Sequence, residues 1–316
     1  MESARSGPEP RIVCAVADGV ATVVIGNPAK RNAMTKAMWR AVPDLLARLA
    51  VDPAVRVLVL TGEGPTFCAG ADIASLRGAG AGSGSGCTGG PDGTAGSGAA
   101  GGPDGTGETP QALAVLAEEA LAAFPKPTLA AVRGHCVGGG CQLAVACDLR
   151  FAADGALFGV TPARLGVVYP ASSTRRLVEL VGPSAAKYLL FSGELIDSGR
   201  ALRTGLVDEV LPESELGVRV AGFARILTER SQLTQVAAKE FAAGRTDRTE
   251  HWERLAAEQA RPGGDTAEGV AAFLERRAPR FTWSAEALSG RSCRARDDGY
   301  GTPPGPGGPG GGPPGR

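Results

Sequence analysis

The 316-residue chain carries 33 basic and 33 acidic side chains, a formal net charge of zero, with 43% of residues hydrophobic and 21% charged. These are the proportions of a globular protein long enough for one large domain or two small ones, and balanced charge leaves no electrostatic footprint for nucleic acid or an anionic membrane. No apolar run approaches the roughly 20 residues that span a bilayer, and the opening MESARSGPEP has no apolar signal-peptide core. The seven cysteines (Cys14, Cys68, Cys87, Cys136, Cys141, Cys147, Cys293) form no CxxC pair, and His135 and His251 are the two histidines. Neither a metal site nor a disulfide framework is expected; the thiols read as small buried hydrophobes and the compartment as cytoplasmic.

In chain order, residues 1–10 are expected to be disordered. RIVCAVADGVATVVIG (11–26) alternates and breaks at Asp18-Gly19, a two-residue hairpin signal. The run 27–50 then carries Met34, Met38, Val42, Leu45, Leu46 and Leu49 at helical spacing. VRVLVLTG (55–62), KPTLAAVRG (126–134) and LRFAA (149–153) read as buried strands. Strands alternating with helices predict an α/β core over 11–78 and 109–213. Between the two halves, 79–108 repeats GGPDGT at 89 and 101 and holds too little apolar surface to offset its ordering entropy, so disorder is predicted. Its formal GxGxxG (Gly84, Gly86, Gly89) has no strand before it and no helix after it, and so lacks the context of a dinucleotide site. Residues 214–285 read as helical. In AEGVAAFLERRAPRF the spacing of Val270, Phe273, Leu274 and Phe281 suits either docking on a partner or packing on the chain's own core. The Pro/Gly-rich tail, 286–316, is predicted to be disordered.

Two stretches carry the chemistry: TFCAGADIASL (66–76) and GHCVGGGCQLAVACD (134–148). Each sets glycine or another small residue after a strand and at a helix start, and glycine is a poor choice for helix stability. Two backbone N–H groups aimed at one point make an oxyanion hole, and a helix N-terminus adds partial positive charge. Two ordinary strand-to-helix turns would read the same way from the residues alone.

The words NPAKRNAM, FCAGADI, KPTLAAVRGHCVGGGCQLAVACDLRFAADGALFG, LVGPSAAKYLLFSGELIDSGRALRTGLVDEVLP and EGVAAFLERRAPRF resemble, in order, the enoyl-CoA hydratase/isomerase (crotonase) superfamily over residues 12–283. The resemblance implies a ClpP/crotonase-like α/β fold of repeated ββα units with a C-terminal helical oligomerisation region over 214–285, assembled as trimers or hexamers. It implies that the N–H groups of Ala71 and Gly139 grip the thioester carbonyl of an acyl-CoA. Gly139 would then lack a side chain so that the substrate oxygen can approach. Ala29, Lys30 and Arg31 fall at the CoA nucleotide end, with Ala69, Asp72 and Ile73 as further CoA-contacting positions; Asp72 and Asp148 also read as structural carboxylates. Coenzyme A enters as part of the substrate, and no separate cofactor is implied.

The chain departs from the hydratase pattern at both carboxylates. Gln142 stands where the first glutamate follows the glycines and Pro162 where the second follows FG, and an amide cannot take up a proton at neutral pH. The segment TPARLGVVY (161–169) resembles the methylmalonyl-CoA decarboxylase branch, which implies roles near a departing carboxylate for Thr161 and Tyr169. Gln142 would hydrogen-bond a substrate carbonyl or carboxylate, or pack in the core. Pro170 replaces the nucleophilic aspartate of a dehalogenase branch, and nothing directs His135 inward. The leading expectation is decarboxylation of a 2-carboxyacyl-CoA through an enolate. The alternatives are a hydratase or isomerase with relocated acid/base groups and a non-catalytic acyl-CoA-binding homologue.

Overall fold

The computed structural model describes residues 9–72 and 109–285. The expectations for the first residues, the glycine-rich insertion with its GxGxxG, Ile73 and the Pro/Gly tail lie outside them.

β1 (Arg11–Ala17) and β2 (Val20–Gly26) form an antiparallel hairpin that turns at Asp18 (φ 50°) and Gly19 (φ 81°). Both central residues take the positive φ that a tight hairpin needs. α1 (Lys36–Val51) opens just after Met34, the first residue of the helical spacing, where Thr35 caps it through Oγ1, which accepts from the Met38 N–H. Ahead of the cap the chain is a short turn held from inside by two buried asparagines. The Asn27 N–H donates to Asn32 Oδ1 (2.9 Å), Asn27 Nδ2 to the Ala33 carbonyl (2.7 Å) and Asn32 Nδ2 to the Thr66 carbonyl (2.6 Å). Polar side chains that hydrogen-bond the local backbone compete with helix, and here they win.

β3 (Val57–Gly62), β4 (Thr128–Val132), β6 (Leu149–Ala153) and β9 (Glu209–Leu211) extend the hairpin into a sheet of order β1-β2-β3-β4-β6-β9, parallel from β2 onward. Every residue of β4 is buried, as expected for a parallel strand covered on both faces. Alternate side chains separate accordingly. Leu58, Leu60, Ala130 and Val132 pack with α1, with α2 (Pro110–Ala122) and with α3 (Gly139–Ala146), while Val57, Val59, Leu129 and Ala131 pack under α6 (Glu213–Thr228).

A second, smaller sheet of β5 (His135–Val137), β7 (Leu157–Gly159) and β8 (Ile196–Asp197) stands beside it. The repeat is thus a strand in the large sheet, a short strand in the small one, then a helix: β4-β5-α3, followed by β6-β7-α4, with α4 (Ala171–Ser192) kinked at Gly182. α5 (Ser198–Arg203) leads into β9.

α7 (Gln232–Ala242) and α8 (Thr249–Gln259) share a small core of Leu233, Val236, Trp252 and Leu255 with Trp283, which lies beyond α9 (Asp265–Glu275). Val270, Phe273 and Leu274 are 58%, 83% and 74% exposed, so these three do not pack on the chain's own core. Among the described residues, no helix is long and apolar enough to cross a membrane.

Candidate functional site

The site is assembled by stitching three loops together. The segment after β3 is drawn onto β5: the Cys68 N–H donates to the His135 carbonyl and the Val137 N–H to the Cys68 carbonyl, each at 2.9 Å. On its other side the same segment meets the loop before α1. The Met34 N–H donates to the Gly70 carbonyl (2.8 Å), Asp72 to Met34 (2.9 Å) and Ala69 to Arg31 (3.0 Å), and the Lys30 ammonium sits 2.6 Å from Asp72 Oδ2. The Gly138 N–H donates to the Gly159 carbonyl on β7 (2.8 Å), which fixes the start of α3.

Each of the three consecutive glycines answers a different constraint. Gly138 caps α3 at φ 56°, where a side chain is strained. A Cβ on Gly140 would lie 2.3 Å from the Cys68 carbonyl oxygen, so only glycine fits. A Cβ on Gly139 would lie 2.9 Å from Trp39 Cζ2 and 3.1 Å from its Cη2. The bare backbone at Gly139 is therefore already demanded by the buried indole, before any substrate approaches. The same Cβ would stand 3.8 Å from the Ala71 nitrogen, so the Ala71 and Gly139 amides lie side by side. Neither N–H has an acceptor among the described residues, and both residues are only half-buried. Two adjacent unfilled donors, one on the first turn of a helix, are suited to an oxygen that gains negative charge.

One turn along α3, Gln142 is buried, and its amide is engaged. Nε2 donates to Glu118 Oε2 (2.5 Å) and to Ser173 Oγ (3.1 Å). The Ser173 hydroxyl in turn donates to Glu118 Oε2, and Arg176 pairs with Glu118 Oε1 and with Glu119 Oε2 (3.1 Å). Glu118 itself is fully buried. Sequence reasoning missed this carboxylate, although one signal was there: on α2, Glu118 falls in phase with the buried stripe Ala114, Ala117 and Leu121.

Tyr169 is half-buried beside this network. Burial, reinforced by nearby Cys141 and Glu118 and opposed by Arg176, pushes its phenol well above the usual value, so the hydroxyl stays protonated and can donate but not act as a base. Thr161 borders the glycine turn, with Oγ1 3.8 Å from where a Cβ on Gly138 would be. Pro162 begins a short turn and supplies no acid group, and Pro170 is the residue ahead of α4.

The remaining candidates separate. Ala29, Lys30 and Arg31 are exposed on the loop tied to Ala69 and Asp72, so these five form one rim beside Ala71. Asp148 is structural: its Oδ2 accepts from the Thr128 N–H (2.8 Å) and hydroxyl (3.0 Å) and pairs with Lys239 (2.8 Å). His135 is a half-buried strand residue. Burial raises the Cys68 and Cys147 thiols to about 12 and Cys136 well above its usual value, which makes all three inert packing groups.

The family model of enoyl-CoA hydratase/isomerase matches residues 15–88 and 106–284. The chain is 34% identical over 267 residues to the crotonyl-CoA hydratase of Syntrophomonas wolfei, covering 83% of this chain and 94% of that protein. It is 32% identical over 272 residues to the 2,3-dehydroadipyl-CoA hydratase of Escherichia coli, with the same coverage. A crystal structure of an enoyl-CoA hydratase/isomerase family member superposes with a TM-score of 0.74 at 36% identity, covering 88% of this chain and 98% of the other. The enoyl-CoA hydratase of Bacillus anthracis gives 0.70 at 26%, covering 85% and 98%. The chain belongs to the enoyl-CoA hydratase/isomerase family and has its mixed α/β crotonase fold. No relative named here is a decarboxylase.

Proposed function

We propose that this chain binds an acyl-CoA thioester and acts on an enoyl-CoA by hydration or isomerisation, with the thioester oxygen held between the Ala71 and Gly139 N–H groups. The observation that carries this reading is the pair of adjacent backbone donors left without acceptors. Charge developing on the thioester oxygen is stabilised there, and one such donor contributes about 3 kcal/mol to lowering the barrier. The names of the relatives favour hydration over decarboxylation. Ala29, Lys30, Arg31, Ala69 and Asp72 are the proposed rim for the CoA moiety, and Thr161 and Tyr169 line the acyl end.

Decarboxylation of a 2-carboxyacyl-CoA is the second reading, and a specific observation favours it. Positions 142 and 162 hold an amide and a proline, and the protonated Tyr169 can supply the one proton that an enolate left by carbon dioxide requires. The test is turnover of crotonyl-CoA against malonyl- and methylmalonyl-CoA. Water addition to crotonyl-CoA supports the first reading, and carbon dioxide release the second. Tight acyl-CoA binding with no turnover of any of the three would sink both and leave a binding homologue.

Assembly and location belong to the same proposal. The exposed face of Val270, Phe273 and Leu274 is the surface we assign to contacts between copies of a trimer or hexamer, in the cytoplasm. Light scattering that finds only the 31.9 kDa monomer would remove the assembly part.

A further inference from the structure

The two bare amides belong to separate segments, and something must set the gap between them. Resting on the acyl-CoA reading above, we infer that Trp39 is the positioning residue of this pair: the edge of its indole holds Gly139 at the spacing from Ala71 at which both N–H groups reach one thioester oxygen.

The isolated bridge between Cys68 and Cys136 joins the two segments three residues ahead of each amide. Beyond that bridge, among the described residues, no backbone hydrogen bond runs from 69–71 to 138–140. The Ala71 side is tied instead to the start of α1, where Met34 donates to the Gly70 carbonyl (2.8 Å) and accepts from the Asp72 N–H (2.9 Å). A little further along, α1 presents Trp39 to Gly139. The point where a Gly139 Cβ would stand is 2.9 Å from Trp39 Cζ2, 3.1 Å from Cη2 and 3.8 Å from the Ala71 nitrogen. One helix start therefore meets both donors, through backbone bonds on either side of Ala71 and through a ring edge at Gly139. That edge is a firm contact, because Trp39 is 1% exposed and a ring in a close-packed core has nowhere to retreat.

An indole at this place carries a cost. Trp39 Nε1 is sealed and has no hydrogen-bond partner, and a buried donor without an acceptor destabilises a fold. A phenylalanine would avoid that cost. What it would lack is the second ring, to which Cζ2 and Cη2, the atoms against Gly139, both belong. The orphan N–H is thus the by-product of a shape requirement at Gly139. Sealed as it is, it offers no hydrogen to a ligand.

Isotope-edited infrared spectroscopy tests this, with butyryl-CoA labelled at the thioester carbonyl carbon and bound to the full chain. The parent should lower the carbonyl stretch relative to the free thioester, because two donors polarise one oxygen. Trp39→Phe should lose most of that shift. It should also slow turnover of whichever of crotonyl-, malonyl- or methylmalonyl-CoA the parent accepts by about ten- to a hundredfold, in kcat rather than in KM. Trp39→Met fills the space without a rigid edge, so it should do the same, and it serves where Trp39→Phe does not fold. Replacing Trp39 with β-(3-benzothienyl)alanine keeps both rings and puts sulfur in place of the N–H. This form should show the parent's carbonyl shift and a raised denaturation midpoint. A full carbonyl shift in Trp39→Phe and Trp39→Met overturns the inference and leaves the amide pair standing. A shift lost in the benzothienyl form overturns it as well, by assigning the effect to the N–H. A parent that leaves the carbonyl stretch of butyryl-CoA where it is in water removes the amide-pair reading and this inference with it.

Discussion

The two halves of the site are built from different material. At Ala71 and Gly139 the proposed functional groups are backbone amides, positioned by strand bridges and glycine turns. Around Gln142 they are side chains, positioned by one buried carboxylate that no neighbouring stretch of sequence contains. A backbone donor is stored in the fold and survives many substitutions nearby. A side chain held by a buried charge depends on every member of its network. The two halves should therefore fail differently under mutation: one through steric intrusion, the other through loss of a partner.

The largest expected effect lies in the side-chain half. Arg176→Met removes the guanidinium from Glu118 and leaves a fully buried carboxylate without its counter-charge. Breaking a buried pair from one side costs about 3–5 kcal/mol. Urea denaturation should record a loss of that order, and Arg176→Met with Glu118→Gln should recover most of it. An Arg176→Met midpoint equal to the parent's would mean that the pair contributes nothing and that the halves do not differ in this way.

Gly139→Ala probes the backbone half and comes next. The new methyl meets the Trp39 indole and intrudes on the approach to the Ala71 N–H, so turnover is expected to drop by about a hundredfold or more, the scale of one lost oxyanion donor. Adding Trp39→Phe, which clears the benzo ring from the methyl, should restore part of the stability but not the rate. Recovery of both together would assign Gly139 to packing alone.

The difference in material also explains what was legible in the sequence. The hairpin at Asp18-Gly19, the buried strands and the glycine start of α3 were readable because each is a local signal of turn chemistry or apolar run. The way the turn ahead of α1 is held was not, since its two asparagines act through Ala33 and Thr66, outside any periodicity. Trp39 at Gly139 and Glu118 at Gln142 are contacts between distant segments, and no spacing within one segment announces them. What holds Gln142 was therefore hidden.

Tyr169→Phe gives a smaller effect and separates the halves by chemistry. If the phenol passes its proton to an enolate, its removal should slow turnover by about ten- to a hundredfold, with acyl-CoA binding little changed. An unaltered rate would assign the proton to water and leave Tyr169 a packing residue beside Glu118.

The smallest effect is graded, and alkaline pH applies it to both halves at once. Cys68, beneath the glycine turn, is held at about 12 by burial, and burial raises Tyr169, in the side-chain half, well above its usual value. A thiol whose folded value lies above its unfolded value of about 9 stays protonated in the fold while the unfolded chain loses the proton. The unfolded state then binds fewer protons, so stability falls as pH rises through the window from about 9 to 12, by up to about 1.4 kcal/mol per pH unit for that group; below that window the group has no effect. Denaturation midpoints between pH 8 and about 10.5 should decline for the parent, less steeply for Cys68→Ala, and less steeply again for Cys68→Ala with Tyr169→Phe. Equal slopes for the parent and Cys68→Ala would show that the thiol beneath Gly140 titrates as freely in the fold as in the unfolded chain, and that the backbone half is not sealed as its packing requires.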